Sequence, residues 1–351
     1  MAASENPAAR KPLRSVIVGL GQMGAHHLRI LSSLPEVEVV AAVEPDETRR
    51  ETMLRAHPGV RGHALLQQAL DEHEALDFVC LAVPVGELPS SAEMAFGAGL
   101  HVFAEKPMAP DEEQARAMIA AAAERELVLG VGYVERFNPA VVALKQKLDA
   151  GAIGRIVQMH ARRLSPFPNR DRMAGVTLDL ATHDIDIMRS LSGSEIERVS
   201  AESVGGMSEH PDDLICAVMR FDSGATGLLE VNWITPTKVR ELSVLGEGGM
   251  FVVNYLTQDL VFYEHPTRSN TWDQLAGMRG GGEGDMVRYA LERREPLRLQ
   301  WDAFIEAVGR RGPAPVDGAD GLATLSTARA IRAASAERRA VAPSYREAAR
   351  V

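Results

Sequence analysis

The sequence predicts an α/β protein with two domains: a doubly wound parallel sheet, followed by an α+β domain built on an open, mostly antiparallel sheet. The chain has 351 residues, about twice the length of a typical domain. Between Arg14 and Val131, short apolar segments alternate with helical patterns, as in β-α-β units. After about Gly132, apolar residues recur at every second position, which is typical of antiparallel strands. We therefore expect a flexible leader over residues 1–13, a first domain over 14–132, a second domain over 133–340 and a tail over 341–351.

Composition excludes several classes of function. The chain is 46% hydrophobic and 25% charged, as in ordinary globular proteins. Its net charge of −10 repels nucleic acids and anionic membrane surfaces, so neither is an expected partner. The two cysteines, Cys80 and Cys216, have no partner motif and are expected to be buried thiols in a reducing compartment. Residues 1–12 lack the apolar segment of a signal peptide, so we expect a cytoplasmic protein.

The elements of the first domain follow from its apolar segments. Strands are predicted at 15–18, 37–43, 78–83, 101–104 and 127–131, and helices at 25–34, 46–56, 91–98 and 111–125. Because these strands are apolar on both faces, we expect helices to cover both faces of the sheet.

The second domain is predicted to be richer in strands. Helices are expected at 139–150 and 178–191, with Gly193 ending the latter, and two more at 299–310 and 321–338. Strands are expected at 156–163, 199–204, 214–221, 225–233, 239–245, 250–254 and 260–263. Gly-bearing turns at 222–224 and 246–249 predict hairpins, and the Gly-rich segment 269–286 predicts a mobile loop.

A glycine-rich motif links the first strand to the first helix. Gly19-Leu-Gly-Gln-Met-Gly24 allows a tight turn and a close approach of the backbone to a pyrophosphate at the helix N-terminus. Glu44 ends the second strand, 20 residues after Gly24, where its carboxylate can accept both hydroxyls of an adenosine ribose. The pattern predicts a dinucleotide site formed by Gly19, Gly21, Gln22, Met23, Gly24, Glu44, Pro84, Glu105 and Lys106.

Glu44 also favours NAD as the cofactor. Its charge would face the 2′-phosphate of NADP, and like charges at short range cost several kcal/mol in a partly desolvated site. The alternative is that Arg49 or Arg50 clamps that phosphate.

Three side chains are candidates for chemistry. Lys106, one of only five lysines, follows a strand in the sequence Glu105-Lys-Pro107, at the sheet edge where ligands bind. Asp179 and His183 are four residues apart, which places them on one face of a helix. The pair could instead be half of a metal site, but no further ligand set accompanies it, so we expect no metal.

These residue types suit hydride chemistry. A histidine oriented by an aspartate can remove a hydroxyl proton as hydride leaves the same carbon. The Lys106 ammonium can hydrogen-bond the same oxygen, or act as the base itself if burial lowers its pKa. The sequence leaves open whether His183 or Lys106 takes the proton. Asp184 and Asp186 are expected to point elsewhere, as a solvated flank or as domain contacts.

Taken in order, these motifs resemble the glucose-fructose oxidoreductase, inositol dehydrogenase and rhizopine catabolism protein (Gfo/Idh/MocA) family, from Arg14 to about Arg338. The resemblance implies an N-terminal Rossmann domain that binds NAD and a C-terminal domain for substrate binding and oligomerisation. It also implies that Lys106, Asp179 and His183 form the catalytic trio.

Finer features look like the branch of this family that oxidises UDP-N-acetylglucosamine at C3. They lie in the segments 132–139, 162–170, 232–241 and 255–259. The resemblance implies a substrate site formed by Tyr133, Arg136, Asn138, Arg162, Arg163, Arg170, Lys238 and Arg240, in which Arg162, Arg163, Arg170, Lys238 and Arg240 supply positive charge for the diphosphate. Met173 and Leu88 depart from the expected pattern, at positions where an acid and a histidine are usual.

The resulting hypothesis is NAD-dependent oxidation of the C3 hydroxyl of a nucleotide-activated amino sugar to a 3-keto sugar, by a homodimer or homotetramer. Three alternatives stay open. They are a dehydrogenase of another sugar or inositol-type polyol, a glycoside hydrolase of the same fold with tightly bound NAD, and a non-catalytic NAD sensor.

Overall fold

The chain folds into two compact units in the computed structural model, which describes residues 11–167, 175–207, 212–265 and 284–346. Unit 1 comprises Met1–Tyr133 and Leu297–Leu322. Unit 2 comprises Val134–Pro296 and Ala323–Val351.

A six-stranded parallel sheet forms the centre of unit 1. Its strands are β1 (Leu13–Val18), β2 (Val37–Val43), β3 (Arg61–His63), β4 (Phe78–Leu81), β5 (His101–Ala104) and β6 (Leu129–Val131). Their order is β3-β2-β1-β4-β5-β6, and every neighbouring pair is parallel. The direction of winding reverses between β1 and β4, which is where doubly wound sheets bind ligands. The predicted doubly wound sheet is confirmed.

Five helices connect these strands. They are α1 (Gln22–Leu31), α2 (Glu47–Leu54), α3 (Leu66–Glu72), α4 (Leu88–Gly97) and α5 (Glu112–Glu124). Helix α1 begins three residues before the predicted start, because the Ala25 N–H already donates to the Gly21 carbonyl at 2.9 Å. The sequence missed β3 and α3, since β3 has three residues and α3 buries only Leu66 and Ala69.

Unit 2 is built on an eight-stranded sheet. Its strands are β7 (Ile156–Leu164), β8 (Ile196–Val204), β9 (Leu214–Phe221), β10 (Thr226–Asn232), β11 (Val239–Gly246), β12 (Gly249–Asn254), β13 (Asp259–Glu264) and β14 (Met286–Tyr289). The order is β14-β13-β12-β11-β7-β10-β9-β8, and among the strands that the structure describes only the β7–β10 pair is parallel. The predicted mostly antiparallel sheet is confirmed. Strand β14 was not predicted, and the predicted mobile loop lies largely outside the described residues.

One face of this sheet carries the core of unit 2. Helices α6 (Pro139–Asp149) and α7 (Thr182–Ser192) contribute Leu144 and Ile185 to the same apolar cluster as Met159 of β7. Strand β9 alternates buried and exposed residues, as expected for a sheet covered on one face. Cys216 lies on the exposed face, so the prediction that it is buried was wrong, whereas Cys80 is buried in β4.

The C-terminal helices correct the predicted domain boundary. Helix α8 (Pro296–Arg310) was assigned to the second domain, yet all of it after Pro296 belongs to unit 1. Trp301 lies 4.4 Å from Phe103 between ring centroids, and Phe304 lies 5.7 Å from Phe78. The apolar stripe in the sequence of α8 predicts that the helix packs on a hydrophobic core. It does not indicate which of the two units provides that core. Within helix α9 (Gly318–Glu337), the chain passes from unit 1 to unit 2 after Leu322.

Among the described residues, every helix is too short or too polar to traverse a lipid bilayer.

The pH dependence of stability tests the packing at the start of β5. His101 Nδ1 accepts a hydrogen bond from the Val128 N–H at 2.9 Å. Burial and the Arg311 charge lower the pKa of His101 below its ordinary value of 6.5. The folded state therefore holds neutral imidazole while the unfolded chain takes up a proton, so the free energy of unfolding falls as pH drops below about 6.5.

His101→Asn is the matched variant, because its amide oxygen still accepts from Val128 but does not titrate. Urea unfolding between about pH 5 and about pH 8 is expected to show a flatter profile for the variant. Parallel profiles for the two proteins would contradict this role of His101.

Candidate active site

The residues predicted to bind the dinucleotide meet at the carboxyl edge of the unit 1 sheet. Gly19 directly follows β1, and its N–H donates to Val43 of β2 at 2.8 Å. Glu105 follows β5, and its N–H donates to Leu81 of β4 at 2.9 Å. Parallel strands bring all their carboxyl ends to one edge, so separate chain segments contribute to a single site.

The glycine loop is packed too closely for side chains at two positions. Gly19 has φ +89°, and a Cβ atom there would lie 2.5 Å from the Ala82 carbonyl oxygen. A Cβ atom on Gly24 would lie 1.8 Å from the Gly19 carbonyl oxygen. At Gly21, in contrast, no atom lies within 4 Å of the corresponding position.

Helix α1 presents its N-terminus to this open space. Gly21 is its N-cap and provides no side-chain hydrogen bond to the first turn. The first N–H groups of a helix have no intrahelical acceptor and favour a phosphate. Gln22 and Met23 are exposed in the same turn, and Pro84 is exposed after β4. The loop therefore fits the pyrophosphate of a dinucleotide.

Glu44 is a buried carboxylate at the end of β2. It is 5% exposed, and it accepts hydrogen bonds from the Leu20 N–H at 2.9 Å and the Asp46 N–H at 3.1 Å. The carboxylate thus joins the end of β2 to the glycine loop. Each oxygen keeps acceptor capacity for a ribose hydroxyl.

Arg49 and Arg50, the alternative ligands for a 2′-phosphate, both contact Glu44. Arg49 Nη1 lies 3.3 Å from Glu44 Oε1, and Arg50 Nη1 donates to the Glu44 carbonyl oxygen at 2.6 Å. Asp46 caps α2 and lies 3.8 Å from Arg49. Arg49 is thus paired with carboxylates and Arg50 donates to main-chain carbonyl oxygens, which agrees with NAD as the cofactor.

The Glu105-Lys-Pro107 segment is anchored by Glu105. This carboxylate is 8% exposed, and its Oε2 accepts the N–H of Lys106 at 3.2 Å. Its Oε1 lies 2.8 Å from His27 Nε2. Lys106 and Pro107 are half-buried, and the peptide bond between them is cis.

In unit 2, a π-helical turn carries Asp179. The turn spans Thr177–Ala181 and leads directly into α7, so the predicted helix is present but its first turn is wider than an α-helix. Such turns are rare in proteins, and many of those that occur lie at functional sites. Asp212, which is 3% exposed, holds the turn by accepting the Thr177 N–H at 2.7 Å. Asp179 and His183 are half-buried.

Helix α7 is fixed by two buried bidentate ion pairs. Arg163 of β7 contacts Asp184 at 2.6 and 3.1 Å, and Arg136 contacts Asp186 at 2.6 and 2.7 Å. Burial would lower the pKa of Arg163, but Asp184 and Glu135 raise it well above its ordinary range. Asp184 and Asp186 are 1% and 0% exposed, so the expectation of a solvated flank was wrong. These pairs fix the helix on which His183 lies.

The arginines expected to bind a diphosphate are mostly committed to internal contacts. Arg163 is paired as described, and Arg240 donates to the Leu164 carbonyl at 2.6 Å. Arg162 is half-buried and pairs with Glu230 at 3.1 Å and Glu241 at 3.5 Å. Lys238 is exposed. Arg170, like Met173, lies outside the described residues.

The remaining predicted substrate residues are buried. Tyr133 is 1% exposed and follows the last strand of unit 1. Asn138 is 2% exposed, caps α6 and donates to the Tyr255 carbonyl oxygen at 3.1 Å. Arg136, Asn138, Arg163 and Arg240 thus have partners inside unit 2, and their contacts with a ligand stay a prediction.

Several buried polar residues near the site were not predicted. Asp212 and Trp301 show no sequence signal, because their partners are distant in the chain. His27 lies on the inward face of α1 beside Leu28 and Leu31. A histidine among the apolar residues of a helix face is a sequence signal that could have identified it. Among the described residues, no three metal-ligating side chains lie close enough together to hold a metal ion.

Two family models match the chain. One, described as oxidoreductase family, NAD-binding Rossmann fold, matches residues 13–133. The other, described as GFO/IDH/MocA C-terminal domain, matches residues 141–252.

Curated relatives are dehydrogenases of sugars and polyols. The chain is 28% identical over 325 residues to UDP-N-acetylglucosamine 3-dehydrogenase of Acidithiobacillus ferrooxidans, covering 92% of this chain and 97% of that protein. It is 27% identical over 252 residues to scyllo-inositol 2-dehydrogenase (NAD(+)) of Bacillus subtilis, covering 68% of this chain and 73% of that protein.

Solved structures show the same fold. The structure of the Acidithiobacillus ferrooxidans enzyme matches with a TM-score of 0.81 at 25% identity, over 93% of this chain and 98% of that one. A levoglucosan dehydrogenase in complex with NADH and levoglucosan matches with a TM-score of 0.84 at 22% identity, over 95% and 100% of the two chains.

Two glycine substitutions separate folding from cofactor binding. Gly24→Ala places Cβ against the Gly19 carbonyl, so the variant is expected to melt at a lower temperature and to lose NAD binding. Gly21→Ala meets no protein atom within 4 Å, so it is expected to melt like the wild type yet to bind NAD more weakly, since its Cβ occupies the space before α1. Differential scanning fluorimetry and calorimetric titration with NAD measure both effects. Equal NAD affinity of Gly21→Ala and wild type would argue against this loop as the phosphate site.

Breaking the buried Arg163–Asp184 pair tests what holds α7. Arg163→Met leaves Asp184 without its buried counter-charge, so the free energy of unfolding is expected to fall by about 3–5 kcal/mol. Arg162→Met is the control on the same strand, because its exposed pairs are worth about 0–1 kcal/mol. Urea unfolding of both variants gives the comparison, and similar losses would contradict the assignment.

Proposed function

The chain belongs to the Gfo/Idh/MocA family of NAD-binding oxidoreductases, and we propose that it oxidises the C3 hydroxyl of a UDP-N-acetylglucosamine-like nucleotide sugar to a 3-keto sugar. The observation that carries this proposal is the extent of the similarity to the Acidithiobacillus ferrooxidans 3-dehydrogenase, which spans nearly the full length of both proteins. Similarity confined to unit 1 would support NAD binding but would not bear on the substrate.

The residues of unit 1 bind the cofactor in this proposal. The N-terminus of α1 holds the pyrophosphate and Glu44 holds the adenosine ribose. Bound NAD supplies the acceptor for the hydride that leaves the sugar carbon. The buried contacts of Glu44 to Leu20 and Asp46 keep its carboxylate in place for this task.

Lys106, Asp179 and His183 act on the hydroxyl. Asp179 orients the imidazole of His183, and one of His183 and Lys106 accepts the proton while the other hydrogen-bonds the oxygen. The π-helical turn and the ion pairs of α7 support this assignment, because they fix the backbone that carries Asp179 and His183.

A second candidate is an NAD-dependent dehydrogenase of a free sugar or inositol-type polyol. Two observations favour it: the inositol dehydrogenase relative is nearly as similar in sequence, and Arg163 and Arg240 have internal partners. Under the nucleotide-sugar proposal, the diphosphate is bound by Lys238, Arg162 and Arg170.

The direct test is formation of NADH from NAD with UDP-N-acetylglucosamine, N-acetylglucosamine and myo-inositol in parallel. The proposal predicts turnover of the nucleotide sugar and little with the other two. A preference for either free compound would replace it with the second candidate. Cleavage of glycosides without net NADH would instead indicate a hydrolase that uses tightly bound NAD.

Variants test the assigned chemistry. His183→Ala is expected to lower kcat by about 10²- to 10⁴-fold, the usual contribution of a general acid or base, with unchanged NAD affinity. Lys106→Ala is expected to lower kcat as well, and the pH–rate profiles of the two variants show which residue accepts the proton. Lys238→Gln is expected to raise KM for the nucleotide sugar. Unchanged kcat in both catalytic variants would contradict the assigned roles. A biological activity that persists in both variants would favour a non-catalytic NAD sensor.

The assembly and location of the protein complete the proposal. We propose a cytoplasmic location, since the two cysteines are free thiols. We propose a homodimer or homotetramer, since one face of the unit 2 sheet is exposed. Light scattering coupled to size-exclusion chromatography measures the assembly.

A further inference from the structure

A chain of buried hydrogen bonds runs behind Lys106. Trp301 Nε1 donates to His27 Nδ1 at 3.0 Å, and His27 Nε2 lies 2.8 Å from Glu105 Oε1. Glu105 Oε2 in turn accepts the N–H of Lys106. Trp301 and His27 are both 0% exposed, and all of these residues belong to unit 1.

The hydrogen bonds define the protonation state of His27. An indole N–H can only donate, so Nδ1 of His27 must be the unprotonated nitrogen. The proton therefore resides on Nε2, which donates it to the Glu105 carboxylate. Phe103 packs edge-on to the imidazole, with ring centroids 5.5 Å apart, and prevents the ring from turning freely. His27 is held neutral, in one tautomer and one orientation.

The network also restricts the Glu105 carboxylate. A Cβ atom on Gly132 would lie 3.0 Å from three atoms of the carboxyl group, so the backbone of β6 closes one side of it. Burial, and then the charge of Glu105, raise the pKa of the neighbouring Cys80 thiol well above its ordinary value. The carboxylate is thus bounded by the Gly132 backbone and lies near the Cys80 thiol, and it accepts from His27 and from the main chain of Lys106.

An apolar side chain in place of Glu105 would cost less free energy of folding. Burying a carboxylate on neutral donors is expensive even when its hydrogen bonds are made. The carboxylate lies immediately before the lysine of the proposed site, and its donor His27 is itself held by Trp301 and Phe103. This arrangement is what a reactive group needs when its position must be held to within a fraction of an ångström.

We propose that His27 and Trp301 are positioning residues: they lock the Glu105 carboxylate, which holds the Lys106 backbone and so determines where the Lys106 ammonium is presented. This inference rests on the proposed role of Lys106 in catalysis. It adds two residues, from α1 and α8, that touch neither cofactor nor substrate.

The scarcity of lysine provides a test that needs no substrate. Trace acetylation with acetic anhydride, read by mass spectrometry, gives the relative reactivity of Lys106, with Lys11, Lys145, Lys147 and Lys238 as references in the same sample. Trp301→Phe keeps the aromatic packing but removes the N–H donor, and His27→Ala removes the link altogether. Both are expected to change the relative reactivity of Lys106 by about threefold or more.

Rescue and control variants distinguish positioning from general stability. His27→Gln retains an amide donor near the place of Nε2 and is expected to restore Lys106 reactivity to within about twofold of wild type. Trp233→Phe removes a buried indole donor of the same kind, which binds Asp213 at 2.7 Å in unit 2, and is expected to leave Lys106 unchanged.

Kinetics give the second readout. With whichever substrate the wild type oxidises, Trp301→Phe is expected to lower kcat by about 10-fold or more while KM and the NAD dissociation constant stay within about twofold. If Trp301→Phe does not fold, His27→Ala, which removes the other member of the network, takes its place with the same expected results. Unchanged Lys106 reactivity and kcat in a folded variant would overturn the inference. Failure of the wild type to oxidise UDP-N-acetylglucosamine would overturn only the proposed substrate, since the acetylation result does not depend on it.

Discussion

Buried carboxylates hold the backbone at the glycine loop, at Lys106 and in the turn and helix that carry Asp179 and His183. Glu44 ties the end of β2 to the glycine loop through Leu20, and Glu105 ties the end of β5 to the backbone of Lys106. In unit 2, Asp212 holds the π-helical turn and Asp184 holds α7 against β7. A carboxylate removed from water must be matched by donors in good geometry, so each of these contacts accepts few alternatives.

The same constraint explains the internal partners of two arginines. Arg136 and Arg163 satisfy Asp186 and Asp184 inside unit 2, and Arg163 also lies 3.3 Å from Glu135. Removing their charge would leave buried acids unmatched, which is costly. They therefore fix the helix that carries His183. Recognition of a nucleotide sugar would depend on other cations, and this makes the substrate the least constrained part of the proposal.

The fold and the core of the candidate site were largely predictable, for local reasons. The glycine loop, Glu44 and Lys106 each follow a predicted strand, and the carboxyl ends of parallel strands must share an edge. Asp179 and His183 were found from their spacing, although the π-helical turn between Thr177 and Ala181 was not. Strand β3 and helix α3 were missed because they are short and bury few residues, so tertiary contacts form them more than local pattern does.

By itself the sequence determined the alternation of strands and helices, the parallel sheet with its glycine loop, and the three residues suited to hydride chemistry. These depend on periodicity and on backbone rules that act over a few residues. Only the tertiary structure decided that α8 belongs to unit 1, that Arg163 and Arg240 face inward, and that Trp301 reaches His27 from far along the chain. An apolar stripe indicates that a helix face is buried, and a charged side chain indicates that the residue needs water or a counter-charge. The identity of the partner is fixed only when distant segments pack together.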